Sequence, residues 1–221
     1  MPSCCNARGC DDMFDGRFAH RMASRYRKRG LDKTARRMVE YVASRGMNEC
    51  TVLEVGGGIG EIEIELLKRG ARRAVNLELS RAYDAEAERL LAEVGLEGRA
   101  ERRVHDIAID PDAVEQADVV VLHRVVCCYP DYERLLSAAA GRARRLLVFS
   151  YPPRNPVSRL FIALQNLGLR LLRKEFRTFA HPPRDMLAVL AENGLTVRYG
   201  HRGIPWRITG VERTVLRLRP T

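Results

Sequence analysis

The 221-residue sequence lacks any apolar run approaching the roughly 20 residues that a membrane-spanning helix needs. Its first residues, MPSCCNARGCDD, also lack the apolar stretch of a secretory signal, so the expectation is a cytoplasmic protein. None of its six cysteines forms a C-x-x-C pair, and no histidine follows them at finger spacing, so no metal site is expected. Cys4, Cys5 and Cys10 read instead as reduced thiols of an N-terminal tail. Internal repeats, low-complexity tracts and Ser/Gly-rich linkers are absent, which argues against a chain of several tethered modules. With 46% hydrophobic and 30% charged residues, disordered and collagen-like classes are excluded as well. Lysine is scarce, at positions 28, 33, 68 and 174 alone, so the formal net charge of +10 is carried almost entirely by arginine. Such a charge attracts polyanions, but arginine enrichment alone does not show that phosphate is the partner.

What is present is an alternation of short apolar runs with helical patterns. CTVLEV (50–55), RAVNLEL (73–79), RAERRVHD (99–106), DVVVLHRV (118–125) and RRLLVFSY (144–151) read as strands, with EIEIELLKRG, AYDAEAERLLAEVG, DAVEQA and DYERLLSAAAG as helices between them. This is the pattern of parallel β-α-β units covered by helices on both faces. PPRDMLAVLAENGL then reads as a further helix, and LTVRYGHR and ITGVERTVLRLR as two strands joined by a turn. A parallel crossover needs a dozen or more residues, so these two must form an antiparallel hairpin. Two segments stand outside the scaffold. Residues 11–46 look helical, with Ala35, Met38, Val39 and Val42 on one face, and 154–177 form an apolar helix pattern rimmed by Arg154, Arg159, Arg170, Arg173, Lys174 and Arg177. Both are candidate covers for the C-terminal edge of the sheet, where open α/β sheets bind ligands. The expected division is therefore a tail and helical cover over 1–46, and a main domain over 47–221 with 154–177 as a helical lid.

The most informative stretch is VLEVGGGIGEIEIELL (52–67). A strand ends at Glu54 and Val55, Gly56, Gly58 and Gly60 follow at G-x-G-x-G spacing, and a helix begins. Glycines without a Cβ let a ligand approach the backbone closely. A glycine turn after a strand is shared with dinucleotide-binding dehydrogenases, and NAD remains the weaker reading. It is disfavoured because Glu54 sits inside the motif, where a carboxylate repels a pyrophosphate and suits a cation. Two further acids close the next strands: Glu78 about 20 residues past the glycines, where a carboxylate can accept ribose hydroxyls, and Asp106.

This signature resembles motif I of the class I S-adenosylmethionine-dependent methyltransferases. The resemblance implies a Rossmann-like, seven-stranded, mostly parallel sheet of order 3-2-1-4-5-7-6 with strand 7 antiparallel, and S-adenosylmethionine as cofactor. It implies a cofactor site of Glu54, Gly56, Gly57, Gly58, Gly60, Glu78, Leu79, Asp106, Ile107 and His123. The order MFDGRF, RYRKRG, LEVGGGIG, VVCCYPDYERLL, RRLLVFSYPP and then Phe176, Phe179 and His181 is similar to the magnesium-protoporphyrin O-methyltransferases, from about residue 13 to 200. In that family an N-terminal tyrosine and a histidine immediately before Tyr-Pro are implicated in catalysis. Tyr26 matches the first, whereas Cys128 stands in place of the second. His123 lies five residues earlier and is not its equivalent. Tyr26, His123, Cys128 and Tyr129 are the catalytic candidates, His123 because an imidazole titrates near neutral pH.

The expected function is methyl transfer, most simply to oxygen, on a small apolar or planar acidic molecule. Phe161, Ile162, Leu164, Leu167 and Leu171 would either face that acceptor or pack on the sheet, while the arginine rim would meet a carboxylate or anionic lipid heads. Two other readings remain open. One is an RNA methyltransferase, favoured by charge but lacking an aromatic RNA platform and an N/D-P-P-Y/F motif. The other is a non-catalytic S-adenosylmethionine-binding or redox-sensing protein built on Cys4, Cys5, Cys10, Cys127 and Cys128.

Overall fold

The computed structural model describes residues 13–214. Cys4, Cys5 and Cys10, expected as reduced thiols, lie outside these residues. Two helices, α1 (Gly16–Arg29) and α2 (Lys33–Ser44), precede the sheet. Both begin on aspartates: Asp15 accepts the Phe18 N–H at 2.8 Å, and Asp32 accepts those of Thr34 and Ala35 at 2.8 and 2.9 Å. Such caps satisfy N–H groups that the first turn leaves without partners. The scaffold then runs β1 (Thr51–Val55), α3 (Glu61–Lys68), β2 (Arg73–Glu78), α4 (Asp84–Glu93), β3 (Ala100–Val104), β4 (Ala117–Leu122), α5 (Tyr132–Arg142) and β5 (Ala143–Tyr151). After it come α6 (Pro156–Leu171), α7 (Pro183–Glu192), β6 (Leu195–Arg202) and β7 (Arg207–Arg213).

The seven strands form one sheet of order β3-β2-β1-β4-β5-β7-β6. Strands β1 to β5 pair in parallel, and β7 runs antiparallel to both β5 and β6. The closing hairpin is thus where the spacing placed it. Alternation along the central strands divides the core into two layers. Val52, Val119, Val121, Leu146 and Val148 face the side covered by α2 and α3, while Leu53, Val120, Leu122, Leu147 and Phe149 face α5 and α7. Burial on both faces explains why β4, ADVVVL, reads as a continuous apolar run rather than an alternating one. Ala35, Met38, Val39 and Val42 of α2 are all buried. Tyr41 seats this helix: its ring stacks on Tyr199 at 4.4 Å, and it packs so close to Gly210 of β7 that a Cβ there would have no room.

Two expectations change. DAVEQA forms turns, not a helix, because the chain needs only a short return between β3 and β4; Arg142 donates to Val114 O at 3.1 Å and holds that return against the end of α5. The strand expected over 118–125 stops at Leu122. Residues 123–125 bend out of the sheet, and Arg124 adopts a left-handed backbone with φ +61.

Candidate active site

Beyond the C-terminal ends of β1 to β4 lies a cavity of about 440 Å³. Its floor is the glycine loop. Gly56 and Gly58 have φ values of +64 and +55, a region that residues with a Cβ rarely enter. The loop also presses on its own protein: a Cβ on Gly56 would lie 2.5 Å from Val125 Cγ2, and one on Gly57 only a little nearer to the Asn76 amide. Gly56, Gly57 and Gly58 line the cavity, whereas Gly60 starts α3 with φ +78 and does not.

The three strand-end acids converge here. Glu54 is buried on β1, and one of its oxygens accepts the Glu63 N–H at 2.9 Å, tying the strand to the start of α3. Burial, followed by the neighbouring Glu63 and Glu61 carboxylates, pushes its pKa well above the usual carboxylate range. Glu78 accepts three backbone N–H groups, from Gly58 at 2.9 Å, Leu79 at 2.7 Å and Ser80 at 3.1 Å, and so fixes the glycine loop against the end of β2. Asp106 accepts the Ala108 N–H at 3.0 Å, and the Tyr129 hydroxyl donates to it at 3.1 Å. Leu79 and Ile107 complete this wall beside Tyr83.

At the other end, His123, Arg124, Val125, Cys128 and Tyr129 descend from β4. Both nitrogens of His123 are turned toward protein. Nδ1 lies 3.0 Å from Ser150 Oγ, and Nε2 lies 3.9 Å from the Asp32 carboxylate. Burial lowers its pKa below 6.5, so the ring is neutral near pH 7. Arg124 donates from its backbone to Ser150 Oγ at 2.9 Å and from Nη2 to Asp32 at 2.6 Å, while its guanidinium lies over the Trp206 ring. Burial of Asp32 raises its pKa, but His123, the Ala35 N–H and Arg124 outweigh this and hold it far below the usual range. One carboxylate thus caps α2 and anchors the loop after β4. The Cys128 sulfur lies 3.5 Å from Arg124 O and from the Cys127 sulfur.

Tyr26 is not brought to this site. The cavity-facing side of α1 carries Phe14 (just before it), Phe18, Arg21, Met22 and Arg25, whose three- and four-residue spacing is that of one helix face. Tyr26 instead donates to Glu65 of α3 at 2.8 Å. Tyr26→Phe should therefore leave ligand affinity unchanged while costing about 1 kcal/mol in urea unfolding, the value of one such hydrogen bond. A large loss of ligand binding in that variant would place the phenol at the site after all.

The sequence reading missed Glu61. It opens α3, lines the cavity, and has one carboxylate oxygen, Oε2, that is buried and makes no hydrogen bond. Burial pushes its pKa up to about 7. The available signal was its position directly after the last loop glycine, where the first turn of a helix favours an acid. Among the described residues no group of three or more His, Cys, Asp or Glu is placed to hold a metal ion.

No protein-family model and no curated protein matches the sequence. Solved structures do. The magnesium protoporphyrin IX methyltransferase of Synechocystis with bound S-adenosylhomocysteine superposes with a TM-score of 0.74 at 21% identity, over 95% of this chain and 100% of that one. The chain has the class I methyltransferase fold. An O-methyltransferase family protein from Burkholderia thailandensis gives a TM-score of 0.69 at 18% identity, over 94% of this chain and 64% of that one. An O-methyltransferase family 2 protein from Planctomyces limnophilus, in complex with apigenin, gives 0.60 at 19% identity, over 84% of this chain and 63% of that one. In this methyltransferase fold the cavity lies at the C-terminal strand ends, the place where open α/β sheets take their ligands.

Proposed function

We propose that this chain is an S-adenosylmethionine-dependent methyltransferase that acts on an oxygen of a small apolar or planar acidic molecule. The observation that carries the reading is the convergence of Glu54, Glu78 and Asp106, from three successive strand ends, on the one glycine-floored cavity. The residues fit the cofactor. Glu78 would take the ribose hydroxyls and Asp106 the adenine amino group, and Glu61, which lines the same cavity and has a carboxylate oxygen without a hydrogen-bond partner, would supply an acceptor for an ammonium group. When bound, S-adenosylmethionine supplies an activated methyl group on a sulfonium centre.

The chain's own task is then positioning and exclusion of water. Phe14, Phe18, Met22 and Tyr83 give the cavity apolar walls that suit a planar acceptor, and Arg21, Arg25 and Arg124 supply cations for an acidic one. An ionised acceptor oxygen needs no base. His123, with Nδ1 at Ser150 and Nε2 toward Asp32, works best as a positioning residue that joins α2 to the sheet at the reacting end. Tyr129 holds Asp106, leaving the Cys128 thiol as the chain's small group where the porphyrin enzymes' pattern has histidine. Magnesium protoporphyrin IX belongs in the acceptor panel because a similar structure acts on it, together with aryl carboxylates and phenols.

The test is mass spectrometry of that panel after incubation with S-adenosylmethionine, alongside calorimetry with S-adenosylhomocysteine. Expected are saturable binding of the latter and a methyl mass increment on at least one acidic aromatic acceptor. Absence of binding would sink the cofactor assignment. Binding without transfer to any acceptor would instead favour a non-catalytic cofactor-binding protein.

A further inference from the structure

Helix α6 turns its apolar side outward. Ile162 and Leu169 are its buried residues, yet Val157, Leu160, Phe161, Leu164, Leu167 and Leu171 are 53 to 77% exposed. Their spacing of three and four residues places them on a single stripe opposite Ile162 and Leu169. Leu172, just past the helix, extends it. Monomeric soluble proteins seldom leave so continuous an apolar face in water, and such patches mark interaction surfaces. None of these side chains lines the cavity, so the face is not explained by cofactor or acceptor binding.

We propose that this face is a docking surface for an anionic lipid bilayer, with α6 lying in the plane of the headgroups. Charge decides the occupant. Arg159, Arg170 and Arg173 are exposed beside the stripe, on a chain whose formal net charge is +10. A second copy docked through the same face would bring two arginine-rimmed patches of like charge together, because a two-fold contact pairs a patch with itself. Anionic headgroups pair with them instead, in the manner of interfacial amphipathic helices. At 16 residues α6 is too short to cross a bilayer, and no helix among the described residues is long and apolar enough to do so.

The helix is also tied to the cavity. Asn166 exchanges two hydrogen bonds with the backbone of Thr178, at 2.8 and 2.9 Å, which returns the chain under the helix. From there Phe176 packs edge-on against Phe14, and the Phe179 N–H donates to Cys127 O at 2.7 Å. A bilayer held by α6 therefore lies close in sequence and contact to the walls of the cavity, where an apolar acceptor dissolved in lipid would enter.

The experiment is flotation of the full chain with vesicles of phosphatidylcholine alone and of phosphatidylcholine containing phosphatidylglycerol. Expected is binding to the anionic vesicles, weaker binding to the neutral ones, and a fall of about tenfold or more in partitioning for Leu160→Glu with Leu164→Glu. Since both side chains face solvent, the double variant should melt at the same temperature as the unsubstituted chain. Arg159→Gln with Arg170→Gln should weaken binding to anionic vesicles only. Failure to bind either vesicle, or binding that the leucine substitutions leave unchanged, overturns the proposal. A dimer in light scattering that the same leucine substitutions dissolve, without vesicle binding, also overturns it and assigns the face to a second copy. None of these outcomes bears on methyl transfer to a water-soluble acceptor, which is measured without vesicles.

Discussion

Gly56→Val should abolish binding of S-adenosylhomocysteine in calorimetry, a loss of at least about 100-fold or roughly 3 kcal/mol. Two effects add. A β-branched residue at φ +64 costs about 1–3 kcal/mol of backbone strain. Relief of that strain is blocked by Val125, whose Cγ2 would sit 2.5 Å from the new Cβ, so the loop can relax only by shifting at the cavity floor. Gly95→Val separates strain from site. Gly95 has a similar φ of +67 but nothing within 4 Å of its Cβ position, and it lies past the end of α4 rather than at the cavity. This second variant should lose the strain energy alone and keep its affinity. Equal affinity in the two variants, both folded, would show that the glycine loop is not the cofactor's cradle.

The sheet was legible in the sequence because parallel strands buried on both faces are apolar runs, and the helices between them end on recognisable caps and glycines. The acids at three strand ends were legible for a different reason: Glu54 and Glu78 adjoin apolar residues of β1 and β2, and Asp106 comes two positions after Val104, the last residue of β3. What sequence could not show is where long side chains turn. Tyr26 and Met22 sit one turn apart on α1, yet the phenol reaches Glu65 while the thioether lines the cavity. Residues four apart lie on the same helix face, so position along the helix does not separate the two destinations. The same limit governs α6. Its periodicity announced an amphipathic helix but left open which side would face the sheet, and the structure buries only the narrow Ile162 and Leu169 edge. DAVEQA failed because a helical pattern of six residues is too short to form without packing partners.

Glu63→Gln should make the protein more stable at pH 8, by up to about 3 kcal/mol, and leave it little changed at pH 4.5. Glu63 is fully buried within α3, its Oε2 makes no hydrogen bond, and burial pushes its pKa up to about 7 against an ordinary 4.5. Arg102 and the Asn76 amide oppose that rise without cancelling it. Between those two values the folded chain binds more protons than the unfolded one, so stability falls as pH rises. The contribution is complete below about pH 4.5 and gone once the pH passes about 7. Glutamine keeps the acceptor that Asn76 Nδ2 reaches at 3.3 Å and removes the proton dependence. It also relieves Glu54, whose pKa is raised in part by the Glu63 charge. Urea unfolding from pH 4.5 to 8 on both proteins is the measurement, and parallel profiles would refute the assignment. The slope has a functional corollary. A cationic ligand favours ionised acids on the cavity wall, so S-adenosylmethionine, whose sulfonium gives it a net positive charge, should stabilise the unsubstituted protein more at pH 8 than at pH 5. Glu61→Gln should reduce that difference, because Glu61 lines the cavity and burial pushes its pKa up to about 7. Glu54 and Glu61, the two cavity acids whose pKa burial raises, then have one physical account: burial favours their protonated forms, and a bound cation would draw them toward the charged forms.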